Sequence, residues 1–183
     1  MVLVITGSPG VGKHTIARKM LQSNKYQLLD INKIAFDAKI VEKNQDGIEV
    51  DVFNMKKHLK PLLSKKSLVV GHLAPYVIDS KDANFVIVLR KNPYQLIDIY
   101  KERQYSEKKI KDNLGSEILG IITNDAINNF GEEKTFQIDA SNSTIESIAS
   151  KIKNIINKSD NGDNIDWLPL IQEKNDFKTF FEY

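Results

Sequence analysis

Cysteine is absent from the 183-residue chain, which excludes disulfides, thiolate metal sites and cysteine nucleophiles and fits an intracellular protein. Arginine is scarce: only Arg18, Arg90 and Arg103 stand among the 26 basic residues, and the others are lysine. Arginine carries a rigid planar fork suited to phosphate and carboxylate, lysine a mobile point charge, so the places of the three forks matter. A charge excess is lacking too. The 26 basic and 24 acidic residues leave a formal net charge of +2, so the overall field does not mark a nucleic-acid-coating protein, and any basic partner surface has to be local. The apolar run at the start, Met1 to Thr6, is far too short to span a bilayer, and it lacks the basic front and small-residue cleavage site of a signal peptide. What is present, 41% hydrophobic and 27% charged residues, suits one folded domain. A soluble, cytoplasmic protein without membrane partners is expected.

Apolar runs of strand length punctuate the chain. Val2 to Thr6 is continuous and β-branched up to Gly7, as expected of a strand buried on both faces. Tyr26 to Leu29, Ser67 to Gly71, Phe85 to Leu89 and the weaker Thr135 to Ile138 follow. Helical spacing fills the intervals: from Lys13, with Ile16, Ala17, Met20 and Leu21 on one side, then over Asp51 to Leu63, Pro93 to Glu102, Lys108 to Asn129 and Thr144 to Asn157. Strands alternating with helices predict βαβ units and an α/β fold, with a five-stranded parallel sheet as the middle of three layers. Ile31 to Val50 interrupts the rhythm: it is polar, loosely periodic and marked by the turn signal Gln45-Asp46-Gly47, as in an insertion that closes over a ligand. Ser159 to Asn164 is rich in chain-breaking residues and reads as a linker after a domain spanning residues 1–158. The segment beyond it, Ile165 to Tyr183, carries Trp167, Leu168, Leu170, Ile171, Phe177, Phe180, Phe181 and Tyr183. It either packs back onto the domain, which is the expectation, or serves as a partner-binding peptide.

Between the first strand and the first helix lies Gly7-Ser8-Pro9-Gly10-Val11-Gly12-Lys13-His14-Thr15. Glycine, four residues, then Gly-Lys in a strand-to-helix context is the pattern of a phosphate-binding P-loop. Gly7, Gly10 and Gly12 let successive N–H groups turn inward around a polyphosphate, the helix N-terminus adds its positive end, and Lys13 reaches the β- and γ-phosphates. The position after the lysine, usually a hydroxyl ligand of Mg²⁺, is His14, and a neutral imidazole suits so hard an ion poorly. Magnesium is therefore expected on phosphates and water, with no protein metal ligand and with Thr15 free to meet a phosphate.

Further motifs narrow the family. Val70-Gly71-His72 follows the third strand, Val88-Leu89-Arg90 the fourth, and Arg103-Gln104-Tyr105-Ser106-Glu107-Lys108-Lys109-Ile110-Lys111-Asp112-Asn113 comes later. Together with the N-terminal Gly-Lys-x-Thr loop, they resemble the adenylate kinase isoenzyme six family of P-loop nucleoside monophosphate kinases, found in archaea and in the eukaryotic nucleus. The Arg-x-Tyr-x-x-x-Lys-Ile-x-x-Asn segment is the more specific marker. The resemblance covers about Val2 to Asn157. It implies phosphoryl transfer from ATP to AMP, giving two ADP, with ATPase activity as a companion; ATP contacts at Gly10, Gly12, Lys13, His14, Thr15 and Arg103; a monophosphate-binding insertion near residues 30–50; and a short lid near residues 102–112. Lys13, Arg103 and His72 are the residues expected to act on the transferred group. The family also serves in small-subunit ribosome assembly, which implies a ribosomal protein and rRNA as further partners. The alternative is thus an assembly ATPase or nucleotide-gated binding module with little kinase turnover.

Three positions depart from the family pattern. Val70 stands where an acidic residue usually holds the magnesium shell, and Asp30 or Asp79 is the candidate substitute. No arginine lies between Arg18 and Arg90, so Lys33, Lys39 or Lys43 has to serve the acceptor phosphate without a bidentate fork. Ile99 takes the place of an arginine four residues before Arg103. Arg90 is either functional or a structural ion pair at a strand end, and Arg18 a surface residue of the first helix. His72 either orients a phosphate just past a strand end or is satisfied by backbone groups; the carboxyl ends of open α/β sheets are where ligands bind. His14, His58 and His72 share no metal-ligand spacing. The pairs Lys56-Lys57, Lys65-Lys66 and Lys108-Lys109 read as solvated faces.

Overall fold

Each of the five apolar runs forms a strand, and their side chains alternate between two cores. The computed structural model describes residues 1–23, 26–44 and 47–181. Strands β1 (Leu3–Thr6), β2 (Gln27–Asp30), β5 (Ser67–Val70), β6 (Phe85–Arg90) and β7 (Thr135–Asp139) make one parallel sheet in the order β2-β5-β1-β6-β7. Leu3 and Ile5 face the layer of α1 (Lys13–Ser23), α5 (Pro93–Glu102), α6 (Glu107–Ile118) and α8 (Ile145–Ile156). Val2 and Val4 face the layer of α2 (Ile31–Asp37), α3 (Val52–Leu59), α4 (Ala74–Val77) and α7 (Ile121–Phe130). A sheet covered on both faces explains why β1 reads as a continuous apolar run. Chain order reverses at β1, which pairs with β5 on one side and β6 on the other. The crevice at the carboxyl ends of these strands is the expected ligand position.

The described residues of the insertion form a helix and a hairpin where the sequence shows only loose periodicity. Asp30 caps α2 through Oδ1, which accepts from the amides of Asn32 and Lys33 at 3.0 and 3.2 Å. An antiparallel hairpin of β3 (Val41–Asn44) and β4 (Gly47–Val50) follows, with Val41 opposite Val50. Gln45 and Asp46 of the expected turn lie outside the described residues. The helix expected to run to Leu63 ends as α at Leu59 and closes in a 3₁₀ turn over Lys60–Leu62, with Pro61 inside that turn. Short α4 gave no periodicity to read.

The helix expected over Lys108 to Asn129 is two. α6 stops at Ile118, Gly120 takes the left-handed conformation at φ +64°, and α7 starts at Ile121. The cause is tertiary: the break wraps the Arg90 guanidinium, which donates from Nη2 to the Glu117 carbonyl at 2.6 Å, and a Cβ on Gly120 would lie 3.3 Å from Arg90 Nη1. The C-terminal segment forms α9 (Leu168–Glu173) and α10 (Phe177–Phe181) against the α6 side of the domain. Ile171 and Phe180 are buried there, Tyr94 meets Phe180 edge-on at 5.3 Å, and the Tyr94 hydroxyl donates to Asp176 at 2.7 Å. Tyr183 lies outside the described residues. No helix among the described residues is long and apolar enough to cross a membrane.

Thr6, fully buried at the end of β1, is the exception to a well-paired interior: its Oγ1 has no hydrogen-bond partner among the described residues. An unpaired buried hydroxyl is a net cost. Thr6→Val keeps the shape and removes that cost, so the denaturant midpoint rises by the equivalent of about 1 kcal/mol. An unchanged or lower midpoint means that the hydroxyl has a partner.

Candidate active site

The carboxyl ends of β1 and β5 open into a cavity of about 770 Å³. Gly10, Gly12, Lys13, His14, Thr15, His72 and Arg103, the residues singled out from the sequence, all line it. Gly7, Gly10 and Gly12 have φ of +133°, +88° and +98°, the positive values that wind the loop around an anion. Tyr100, fully buried in α5, donates its hydroxyl to the Pro9 carbonyl at 2.7 Å and stacks at 5.6 Å on Tyr105 of the following segment. Burial pushes the Tyr100 hydroxyl pKa up, so it stays a donor. The stack ties the Arg103–Asn113 segment to the phosphate loop, and Gln104 at φ +56° turns the chain between them.

Lys13 is 6% exposed, and its Nζ donates to the Ser8 carbonyl at 2.8 Å. Burial and then the Arg103 charge push its pKa down to about 7, against opposing pulls from Glu117 and Asp30. Two cations therefore face one volume, an arrangement that a polyphosphate relieves. His72, just beyond β5, is lowered to about 4 by burial and then by Lys13 and Lys109. Its imidazole is neutral at pH 7 and can donate one hydrogen bond and accept another.

His14 is engaged: its Nε2 lies 3.0 Å from Asp30 Oδ2, and the other Asp30 oxygen caps α2. Val70 is fully buried in the core. Asp79 is not at the site; it pairs with Lys56 at 2.6 Å and Lys60 at 3.3 Å. No group of three or more His, Asp or Glu side chains among the described residues could hold a metal. These residues do not fit a protein cage for magnesium, whose oxygen ligands then have to come from phosphate and water. Of the insertion, Asn32 reaches the cavity wall, and Lys33 is turned to Asp37 at 2.8 Å. On the lid side Lys108, Lys109, Asp112 and Asn113 line the cavity.

Arg90 resolves to its structural alternative. It is 3% exposed, and its guanidinium binds Glu117 Oε1 at 2.8 Å, Gln137 at 2.6 Å and Thr123 at 3.2 Å. Breaking such a buried pair from one side costs about 3–5 kcal/mol. Arg18 is exposed on α1. Glu117 went unread in the sequence. The signal was there: Ile110, Leu114 and Glu117 recur at helical spacing, placing a carboxylate on the apolar face of α6, where it needs a buried partner.

A glycine loop around an inward lysine, at the reversal point of a parallel sheet, defines a P-loop nucleotide-binding domain. The family model described as "AAA domain" matches residues 3–120. A Pyrococcus furiosus protein named "Putative adenylate kinase" is 32% identical over 158 residues, covering 86% of this chain and 84% of its own. A Methanococcus maripaludis relative of the same name is 30% identical, covering 92% and 96%. The chain belongs to the P-loop kinase family that its lid motif resembles, the adenylate kinase isoenzyme six family. Alignment over 92% of the chain extends past Asn157, so the likeness runs into the C-terminal segment, further than the motifs alone reach. Among solved structures, the Bacillus subtilis YorR protein in complex with phosphorylated GDP superposes with TM-score 0.60 at 14% identity, covering 86% of this chain and 96% of its own. Deoxyadenosine kinase from M. mycoides superposes with TM-score 0.55 at 17% identity, covering 86% and 100%. These two establish the fold.

Proposed function

We propose that this protein transfers the γ-phosphoryl group of ATP to AMP, giving two ADP. The observation that carries this reading is the convergence of Lys13, Arg103 and His72 on one cavity between the phosphate loop, the lid segment 102–112 and insertion helix α2. An α-phosphate oxygen of AMP attacks the γ-phosphorus in line, the bond from that phosphorus to the β-phosphate bridging oxygen breaks, and ADP leaves as the second ADP forms. The protein's work is positioning and charge neutralisation. Lys13 leaves the Ser8 carbonyl to follow the β- and γ-phosphate oxygens, Arg103 reaches over the transferred group, and neutral His72 donates a hydrogen bond to a phosphate oxygen. Backbone amides of the Gly10–Thr15 loop hold the ATP phosphates, and the Thr15 hydroxyl adds a contact. Magnesium bound with ATP would be held by phosphate and water rather than by protein side chains, and would supply neutralisation of the phosphate charge.

A second reading, an ATPase or nucleotide-gated module in small-subunit ribosome assembly, draws on a specific feature. The acceptor side presents Asn32 rather than an arginine, and Lys33 is spent on Asp37. The ribosomal protein and rRNA partners of that reading rest on family likeness, as does a cytoplasmic location. The two readings separate in an assay of ADP production from MgATP with and without AMP. The kinase requires AMP for most of the rate and forms two ADP per AMP consumed. An equal rate without AMP, with inorganic phosphate as co-product, replaces it by the ATPase.

A further inference from the structure

Glu117 touches no part of the cavity, yet it is tied to the phosphate loop. It is 1% exposed, and its two carboxylate oxygens divide their work. Oε2 accepts from the Ser8 hydroxyl at 2.6 Å. Oε1 accepts from Arg90 Nε at 2.8 Å, from the Lys91 amide at 3.0 Å and from the Trp167 indole N–H at 3.1 Å. One oxygen therefore serves the loop, and the other serves the end of β6 and the C-terminal segment. Ser8 has two ends as well: its hydroxyl is held by Glu117, and its carbonyl accepts from Lys13 Nζ at 2.8 Å. A chain of hydrogen bonds thus runs Lys13–Ser8–Glu117–Trp167, the first two short and buried and the last, at 3.1 Å, part-buried. The Glu117 end is held by a guanidinium pair, so strain at the Ser8 end cannot be absorbed by a swing of the carboxylate.

We propose that Glu117 is a positioning residue of the phosphate site: through Ser8 it sets the resting place of the Lys13 ammonium, and through Trp167 it couples the C-terminal segment to occupancy of the phosphate loop. This rests on the kinase reading of the cavity. The Ser8 carbonyl holds the ammonium at 2.8 Å. When phosphates draw Lys13 away, the Ser8 carbonyl loses a charged donor, and residue 8 readjusts against a fixed carboxylate. The Trp167 indole shares that carboxylate, so its surroundings change with it. A hydrogen-bond network of this kind responds as a unit rather than bond by bond.

Trp167 is the one tryptophan of the chain, which makes the test direct. The full chain is titrated with MgATP while Trp167 emission is followed, and binding is measured in parallel by calorimetry. The wild type gives a saturable emission change at the calorimetric midpoint. Ser8→Ala removes the loop end of the chain and leaves the Arg90–Glu117 pair whole, so it folds even where Glu117→Gln does not. It still binds MgATP but loses most of the emission change, and its kcat falls about 10-fold or more while KM for AMP stays within about 2-fold, as expected when a reacting group is misplaced rather than removed. Glu117→Gln, if folded, shows the same split. Calorimetric binding without a Trp167 response in the wild type overturns the proposal, as does a Ser8→Ala variant with full response and full kcat. A wild type whose emission responds to MgATP but which makes no ADP from AMP leaves the coupling standing and removes the kinase reading instead.

Discussion

Lys13→Ala lowers kcat/KM for phosphoryl transfer by about 10³-fold, at the upper end of what loss of one preorganised charged donor costs. The size follows from how the side chain is held. Its ammonium is almost fully buried, lies on a loop carbonyl 2.8 Å away and shares its space with Arg103. The same environment gives a pH signature. Burial and Arg103 set the Lys13 pKa to about 7 in the free protein, so the ammonium is present below neutrality and lost above it. Bound phosphate favours the charged form. ATP affinity is therefore full on the acid side of neutrality and declines as pH rises through about 7, and the decline is missing from Lys13→Ala. Calorimetric titration with ATP across neutrality checks it: an affinity that stays flat in the wild type means that Lys13 is not the group gaining a proton.

Gly7→Ala carries a large expected loss of stability. A Cβ on Gly7 would sit 2.2 Å from the Leu89 carbonyl oxygen and 3.2 Å from Val11 Cγ2, at φ +133°. Leu89 cannot retreat, because β1 and β6 are laddered up to the pair Thr6–Val88 and β6 is laddered to β7 at Leu89–Ile138. Backbone strain and overlap with a fixed carbonyl together cost about 3 kcal/mol or more. Gly12→Ala is the control. It has a positive φ of +98° but nothing within 4 Å of the added carbon, so it carries the backbone cost of about 1–2 kcal/mol alone. Chemical denaturation of both variants gives the comparison; equal midpoints contradict the close approach of Gly7 to β6.

The parts of this molecule that obey local rules could be read in advance. β1 announced itself by the run Val2 to Thr6 that stops at Gly7, α5 by Pro93 at its first position, and the phosphate loop by its glycine spacing. What escaped depends on partners distant in sequence. The break at Gly120 exists because Arg90, thirty positions earlier, occupies the end of α6. His14 looked like a lost magnesium ligand, but its place is set by Asp30 at the end of β2. Glu117 was hidden because its four partners come from the phosphate loop, β6, the turn after β6 and the C-terminal segment. The scarcity of arginine acquired a distribution in space: one fork at the cavity, one locked in the core, one on the outer face of α1. The acceptor side has none, and this is where the two functional readings part.

The direct measurement is the fate of the γ-phosphoryl group. ATP labelled at the γ-phosphorus is mixed with AMP and magnesium, and products are resolved by position of label. Transfer to AMP places the label in the β-phosphate of ADP, and Lys13→Ala suppresses it. Label that accumulates in inorganic phosphate at the same rate with or without AMP contradicts the account.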